Sequence, residues 1–479
     1  MSAMPAQSQE LSDNDVARAI ETELRYDDSI TFNRIGVSVD DGIATLTGTV
    51  SSLAGYRQTE NIVSTVRGVT GIVNRMVVDV PPVAPDELES RVSAAFERNS
   101  ATDAYELTVT ADDSGVVILE GVVDSWAERR LAETVASATI GVAEIDNRVD
   151  VDTSRVYRGV GEIEAEIAEL LRWDARVDDS LIEVLVREGG RVTLSGTVGS
   201  LAEKQLAHDL AFVRGVQSVE SEHLQVEGWA RDINTRLGVR TSVSDGDIRQ
   251  AIEKSLTLDP RIASSGIEIS VIDGSVWLQG EVAHFGAWRA AEQDARNIVG
   301  ARDVFNFLRV SPVMLDDQAV EADAVAALEA SGVEGIDALQ IDVRDGRARL
   351  SGDVDDAEQY WTIDDIVANT RGIEEFHNDL TIRGQLPRFA DSSYMGMPRP
   401  VIPRARNSTD ILSDRSLHVA VESELFWSPF IDENRVSISV EDGIVTLTGN
   451  VESPREYFAA TDNAIQAGAI SVQNELEIE

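Results

Sequence analysis

The sequence predicts an α+β protein built from six tandem small αββαβ domains, each a three-stranded sheet with two helices on one face. A short glycine–leucine–glycine–valine phrase occurs six times, a helical pattern precedes it, and a glycine-led strand pattern closes each copy. Repetition at a nearly regular spacing decides the architecture before any local pattern does. The two glycines of each phrase are Gly42 and Gly48, Gly115 and Gly121, Gly190 and Gly196, Gly274 and Gly280, Gly346 and Gly352, and Gly443 and Gly449.

Each copy opens with an amphipathic helix. In the first copy Asp13 or Asp15 caps the start, and Val16, Ile20 and Leu24 share one helical face. The matching apolar trios are Leu88, Val92 and Phe96; Ile163, Ile167 and Leu171; Ile248, Ile252 and Leu256; the weaker Val320, Ala324 and Leu328; and Leu417, Val421 and Leu425.

A β-hairpin follows. Alternating apolar residues from Ile35 to Val39 indicate a half-buried strand, and Asp41-Gly42 supplies the tight turn into the next strand. Gly48 lies inside that second strand, where glycine costs stability and its repetition implies close approach by another group. We expect the helices to lie across this face and to leave no room for a side chain at Gly48.

A second helix, from about Leu53 to Val66, ends at Gly68, which is placed as a C-cap. The closing strand carries an asparagine, Asn74 in the first copy, at a position that five copies share. The third copy has Ser221 there and then His223, so we expect its last strand to be shifted or bulged.

The repeats divide the chain into six units separated in two places by longer linkers. Units of about 65 to 70 residues are near the lower size limit for independent folding, so docking on neighbours is expected to stabilise them. Units 1 to 6 are predicted at 13–80, 86–152, 160–227, 245–311, 316–383 and 413–479, with linkers at 228–244 and 384–412.

The chain is strongly acidic, with 41 basic and 85 acidic residues and a formal net charge of −44. Such a surface repels phosphate backbones, which disfavours nucleic acid as a partner. The acidity is interpreted either as a means of solubility, for example in a salty cytoplasm, or as cation storage or mimicry of a polyanion. Cysteine is absent, which excludes disulfides and thiolate metal sites.

Both linkers are basic within this acidic chain. We hypothesise that arginine and aromatic side chains in them dock on acidic faces of this chain or of a neighbour, the alternative being ordinary solvated linkers. The candidate assembly residues are Trp229, Arg231, Arg236, Arg240, Arg388, Phe389, Tyr394, Arg399, Arg404 and Arg406.

No catalytic, cofactor or metal centre is predicted. The five histidines lie at non-equivalent positions without metal-ligand spacing, and no nucleophile-elbow phrase is present. Acidic doublets such as Asp40-Asp41 suit hairpin turns, with a cation site as the alternative. Most of the seven tryptophans are expected in cores or between units, and an exposed cluster would instead mark a lipid or partner surface.

The complete pattern of helix, strand-Asp-Gly-strand with its repeated phrase, and closing glycine-to-asparagine strand resembles the BON domain, the bacterial osmotic-stress and nodulation domain. The resemblance covers six segments. It implies a small non-catalytic module of envelope stress proteins, secretion-pore components and lipoproteins. That module is linked with phospholipid surfaces and, in one branch, with potassium, and it brings no catalytic residues to carry over.

We therefore expect a non-catalytic structural and interaction protein, without a cofactor, that self-assembles into a homo-oligomer or filament in an osmotic or envelope stress setting. The alternative is a peripheral envelope stress protein that binds phospholipid or monovalent or divalent cations. The start of the sequence lacks a secretory pattern and no 18-residue apolar stretch occurs, so a cytoplasmic location is expected, with the periplasm or envelope as the alternative.

Overall fold

The computed structural model describes residues 11–26, 35–152, 158–231, 243–262, 266–310, 315–331, 339–354, 357–382, 414–428, 431–441, 443–451, 454–467, 469 and 471–478. Within these ranges every unit follows the predicted order of helix, strand, strand, helix, strand.

The helices alternate between a first and a second helix of each unit. The first helices are α1 Asp13–Tyr26, α3 Pro85–Arg98, α5 Val160–Trp173, α7 Asp245–Leu258, α9 Asp317–Ser331 and α11 Asp414–Trp427. The second helices are α2 Leu53–Thr65, α4 Trp126–Ser137, α6 Leu201–Leu210, α8 Phe285–Arg296, α10 Ala357–Ala368 and α12 Pro454–Gln466.

The strands form one three-stranded sheet in each unit. Units 1 to 3 contain β1 Ile35–Asp40, β2 Ile43–Val50 and β3 Gly71–Val78; β4 Leu107–Ala111, β5 Val116–Val123 and β6 Glu144–Val151; and β7 Ile182–Arg187, β8 Arg191–Val198 and β9 Ser218–Val226. Units 4 to 6 contain β10 Ile267–Ile272, β11 Ser275–Val282 and β12 Val304–Val310; β13 Gln340–Arg344, β14 Arg347–Val354 and β15 Glu375–Ile382; and β16 Val436–Glu441, β17 Ile444–Val451 and β18 Ser471–Ile478.

The strand order is the same in all six sheets, with the second strand in the middle. The first two strands pair antiparallel because a tight hairpin joins them, and the third pairs parallel because a helix makes the crossover. The helices cover one sheet face, where Ile20 and Leu24 of α1 and Leu46 of β2 are fully buried. Six such cores result, one in each unit.

An aspartate at the start of the first helix fixes the hairpin turn. The two carboxylate oxygens of Asp13 accept hydrogen bonds from the backbone nitrogens of Asp41 and Gly42, both at 3.1 Å. Asp245 and Asp317 do the same for the turns of units 4 and 5. Asp13, predicted as a possible helix cap, is instead the first residue of α1, which Ser12 caps, and it locks the hairpin to the helix.

The repeated asparagine ties the closing strand to the second helix. Asn147 donates from Nδ2 to the carbonyl of Arg129, 3.2 Å away, and its Oδ1 accepts from the nitrogen of Val149. In unit 3, Ser221 instead lies 3.3 Å from Nδ1 of His208. The pairing of β8 with β9 shifts register between Thr193 and Ser195, which confirms the predicted irregularity of this strand.

The expected reason for the glycine inside the second strand is wrong. A Cβ added at Gly196 would lie 1.9 Å from the carbonyl oxygen of Leu181, and one at Gly280 would lie 2.1 Å from that of Gly266. Both oxygens belong to the residue directly before the adjacent first strand, and not to either of the α-helices that cover the sheet. These glycines also adopt positive φ, as does Gly48 at +116°, which side-chain-bearing residues rarely adopt.

Gly280→Ala is therefore expected to lower the free energy of unfolding by about 1–3 kcal/mol, because it combines backbone strain with a clash against a carbonyl. The measurement is thermal unfolding followed by circular dichroism. Gly161→Ala in α5 is the matched control, since a Cβ there meets nothing within 4 Å. It is expected to be neutral or slightly stabilising. Equal effects of the two substitutions would contradict this account.

Candidate functional site

The most extensive functional feature of the chain is the set of contacts between units. The first helices pair unit 1 with unit 6, unit 2 with unit 5 and unit 3 with unit 4. Helices α1 and α11 border one cleft, α3 packs against α9, and Lys254 of α7 forms a 2.5 Å ion pair with Glu169 of α5.

A backbone hydrogen bond recurs in two of these three pairs, among the described residues. The donor is the backbone nitrogen of the residue before the glycine that follows a second helix. The acceptor is the backbone carbonyl at the end of the partner unit's first helix. Val299 donates to Trp173 at 2.9 Å in pair 3–4. In pair 2–5 the bond forms in both directions, from Arg371 to Arg98 at 3.4 Å and from Ile140 to Ala330 at 3.3 Å. The pair contact is therefore approximately two-fold symmetric.

Units 1 and 6 meet at the same place through a side chain. Nη1 of Arg67 donates to the carbonyl of Phe426 at 3.1 Å and forms a 3.0 Å ion pair with Glu433. The guanidinium also lies over the ring of Phe426, 4.4 Å from its centroid. This contact fixes unit 6 beside unit 1.

In two of the three pairs, a tryptophan side chain of one unit packs against the core of the other. Trp173 at the end of α5 packs against the core of unit 4, and Trp427 at the end of α11 packs against the core of unit 1. Trp126 of unit 2 packs against Phe212 of unit 3, with ring centroids 4.9 Å apart and the ring planes tilted by 50°. For these three residues the predicted role between units is confirmed.

A second type of contact links units side by side. The first residue of a second helix inserts into the next unit: Leu53 into the core of unit 2, Leu201 into that of unit 1, and Phe285 into that of unit 5. Trp126 holds the equivalent place and donates from Nε1 to the carbonyl of Val216 in unit 3, 2.9 Å away. Units 1, 2 and 3 thus form a closed ring, and unit 4 contacts unit 5 in the same manner.

Ion pairs repeat with this side-by-side contact. Arg57 of α2 pairs with Glu133 of α4, and at the equivalent positions Arg289 of α8 pairs with Asp364 of α10 at 2.6 Å. Together with the three unit pairs, these contacts place the ring of units 1 to 3 against units 4 to 6, of which units 4 and 5 are joined by the same side-by-side contact.

Pair 3–4 contains a partly buried charge cluster. Asp174 pairs with Arg176, and Asp259 with Arg261, each at 2.5 Å. Burial raises the pKa of Asp294, which lies among them, to about 7, with Asp259 adding to the shift and the two arginines opposing it. Buried charges that are mutually paired contribute to a defined geometry more than to stability.

Pair 1–6 places two acidic side chains together. Glu23 and Glu424 occupy the same position in their units, just before the last core leucine of the first helix. Burial, together with the nearby Glu23, raises the pKa of Glu424 to about 8. The corresponding residues are uncharged in the other two pairs: Ala95 and Ala327 in pair 2–5, and Leu170 and Ser255 in pair 3–4.

Few of the candidate assembly residues in the linkers are described. Trp229 lies in a 3₁₀ turn, Gly228–Arg231, and is 50% exposed, whereas only the backbone of Arg231 is described. The docking of the linkers therefore stays a prediction. Outside the described residues lie Arg236, Arg240, Arg388, Phe389, Tyr394, Arg399, Arg404 and Arg406.

The ionisable residues singled out from the sequence have structural contacts. Oxygens of Asp13, Asp40 and Asp41 come within 4.8 Å of one another, but both oxygens of Asp13 already accept hydrogen bonds from the turn. His284 caps α8 by accepting from the nitrogen of Ala287 at 3.0 Å, and burial lowers its pKa to about 4. It is therefore neutral at physiological pH.

Sequence reasoning missed an aromatic surface on the outer sheet face of unit 4. Trp277 stacks on Phe305 with ring centroids 5.4 Å apart. Phe305 is 43% exposed, Phe307 59% and Ile272 61%. The signal was available, since Phe305 and Phe307 alternate in phase with the outward residues of β12 rather than with the core.

The same surface of unit 5 is charged. At the register positions of Trp277, Phe305 and Phe307, unit 5 carries Arg349, His377 and Asp379. The aromatic character is thus specific to unit 4 and is not a general property of the repeat.

The profile of the BON domain family matches residues 12–79, 85–153, 160–228, 244–312, 316–384 and 413–479. The chain is similar to the Osmotically-inducible protein Y of Escherichia coli (strain K12), 28% identical over 149 residues, which are 29% of this chain and 71% of that relative. No helix among the described residues combines the length and the apolar character that a membrane crossing requires.

Two solved structures of CdsD, a structural protein of the type III secretion system of Chlamydia trachomatis, also align with the chain. One, its C-terminal domain, covers 45% of this chain and all of its own at 13% identity, and the other covers 47% and all of its own at 12%. Both have a TM-score of 0.13, which supports no structural argument.

Glu424→Gln is expected to stabilise the protein, and more so as the pH rises. The folded state holds a proton on Glu424 that the unfolded state releases above its ordinary pKa of 4.5, so stability falls as the pH rises from there through about 8. We expect a gain of at least about 1 kcal/mol in the free energy of unfolding at pH 8.5 and none below about pH 4.5. Thermal unfolding across this range measures it.

Glu422→Gln is the control, because Glu422 is exposed on the same helix. It is expected to change the unfolding temperature little at any pH. A pH-independent effect of Glu424→Gln, or one that Glu422→Gln shares, would contradict the interpretation.

Proposed function

The chain belongs to the BON-domain family, and from this membership and its unit contacts we propose a non-catalytic structural and interaction protein of osmotic or envelope stress. It holds six domains in one body and binds a second copy of itself through the outer sheet face of unit 4. The aromatic cluster of the exposed Phe305 and Phe307 and the half-buried Trp277 is the observation that carries this proposal.

Charge favours this face for self-association. Two chains of net charge −44 repel each other over most of their surfaces, so a contact is least opposed where the surface is apolar and weakly charged. The nearest exposed neighbours across the strands are the uncharged Ser270 and Gln279, and the charged Glu268, Glu281 and Arg309 lie at one end of the same face. Apolar side chains at this place would lose their contact with water on docking.

The position of β12 supports the same partner. β12 lies at the edge of its sheet, because β11 is the middle strand. An edge strand with exposed apolar side chains is a ready template for pairing with another chain. A second copy that presents the same strand would satisfy both the backbone groups and the phenylalanine side chains.

The stress setting is proposed from the relatives. The similar protein of Escherichia coli is named for osmotic induction, and the present chain shares its domain type. A pre-assembled body of six domains suits a structural role, in which one polypeptide presents several surfaces at fixed positions. The cytoplasmic location stays a prediction of the sequence.

The aromatic face also favours one alternative, a peripheral phospholipid-binding protein. Phe305 and Phe307 are of the type that anchors at a membrane interface. The net charge opposes approach to anionic headgroups, which is why we place this function second.

Replacing both Phe305 and Phe307 by serine is expected to weaken self-association at least tenfold. Sedimentation velocity over a range of protein concentrations measures it, at low and at high salt. Self-association of the unmodified protein should strengthen with salt, because screening reduces the repulsion between acidic chains. Val122→Ser in unit 2 is the control, since Val122 is also an outward apolar residue and is 61% exposed.

An unmodified protein that stays monomeric at every concentration and salt would refute the self-association. Flotation with zwitterionic phospholipid vesicles tests the alternative in parallel. Vesicle binding that the double serine variant loses, by a protein that remains monomeric, would establish the second function in place of the first.

A further inference from the structure

Pair 2–5 lacks the tryptophan that packs between the units of the other two pairs. In pairs 3–4 and 1–6, one unit carries a tryptophan two residues after the last core residue of its first helix. These residues, Trp173 and Trp427, pack against the core of the partner unit. The same position holds Arg98 in unit 2 and Ala330 in unit 5. Both still accept the backbone hydrogen bond from the partner unit. The pair thus keeps its backbone contact while an aromatic side chain is missing from it.

A cavity of about 470 Å³ lies at this place, between units 2 and 5 and beside α8 of unit 4. Its volume falls within the range of sites for small organic molecules. Small apolar side chains form much of the wall: Ala95, Leu131, Ala138, Ala290, Ala327 and Ala330. The walls therefore suit a flat apolar group of about the size of the missing tryptophan ring.

The polar part of the cavity carries charges of both signs. Arg98, Arg261 and Arg289 line it, opposed by Asp364 and Asp365. Arg261 is paired with Asp259 and Arg289 with Asp364.

One charged donor at the cavity remains available. Among the described residues no hydrogen bond or ion pair engages the guanidinium of Arg98, whereas Nε of Arg289, also without a partner, is itself buried. The guanidinium of Arg98 is therefore the group that could receive an anionic partner in this cavity.

We propose that this cavity binds a small aromatic carboxylate. The ring would lie between the alanine walls, in the volume that a tryptophan would otherwise fill, and the carboxylate would accept hydrogen bonds from Arg98. Arginine suits this task because its planar fork matches the two oxygens of a carboxylate. A ligand there would contact units 2, 4 and 5 at once and would stabilise their arrangement by binding the assembled form alone.

The test uses isothermal titration calorimetry of the full chain with indole-3-acetate and with its uncharged analogue, indole-3-acetamide. One molecule of the carboxylate should bind per chain, about tenfold or more tightly than the amide, because a charge-assisted hydrogen bond is lost with the charge. Binding should also raise the unfolding temperature.

Two substitutions separate the parts of the proposal. Arg98→Gln should weaken binding of the carboxylate about tenfold and leave that of the amide unchanged. Ala330→Trp should fill the cavity and abolish binding of both, with near-ultraviolet circular dichroism to show that the fold is kept. Arg130→Gln is the control, since Arg130 is an exposed arginine of the same unit; it should bind both ligands as the unmodified protein does.

Absence of saturable binding by the unmodified protein at millimolar indole-3-acetate would overturn the proposal. So would binding that survives both Arg98→Gln and Ala330→Trp, because the ligand would then occupy another place. Equal affinity for the carboxylate and the amide would overturn the recognition of the anion.

Discussion

The structure depends on each unit burying side chains of its neighbour. Domains of this size bury too little surface alone to be very stable, and here the deficit is met from outside. Leu53, Leu201 and Phe285 leave their own units to fill adjacent cores, and Trp173 and Trp427 do so across the unit pairs. The units are therefore held together by shared cores and not only by linkers. A substitution in one core is expected to change the stability of the neighbouring unit.

The chain shows how a repeated domain acquires specific properties by changing residues at equivalent positions. The same point of the first helix carries glutamates in pair 1–6, alanines in pair 2–5, and leucine and serine in pair 3–4. Pairs 2–5 and 3–4 keep the backbone hydrogen bonds at Trp173, Arg98 and Ala330, and pair 1–6 has the side-chain bond of Arg67 at the same place. The same arrangement of two units thus permits one interface to hold a titratable pair, another a cavity and a third a charge cluster.

Much of the fold was predictable because it is encoded locally. Turn glycines, helix caps and the spacing of apolar residues act over a few positions, so the repeated unit follows from them, including the irregular strand at Ser221. The reason for the inner glycines was not predictable, since the carbonyl that excludes a side chain at Gly280 comes from Gly266, the residue just before the neighbouring strand β10. The arrangement of units could not be predicted either. An apolar residue such as Phe285 gives the same sequence pattern whether its side chain fills its own core or a neighbour's.

The contact of Arg67 with Phe426 joins positions 359 residues apart along the chain. The entropy lost in closing so long a loop grows only slowly with its length, but it is lost before the contact forms. Contacts between neighbours in sequence, such as Leu53 with unit 2, involve far shorter loops and can form earlier. Docking of the last unit on the first is thus expected to be the final step of folding, and it occurs only after the central units have set the distance that it must span.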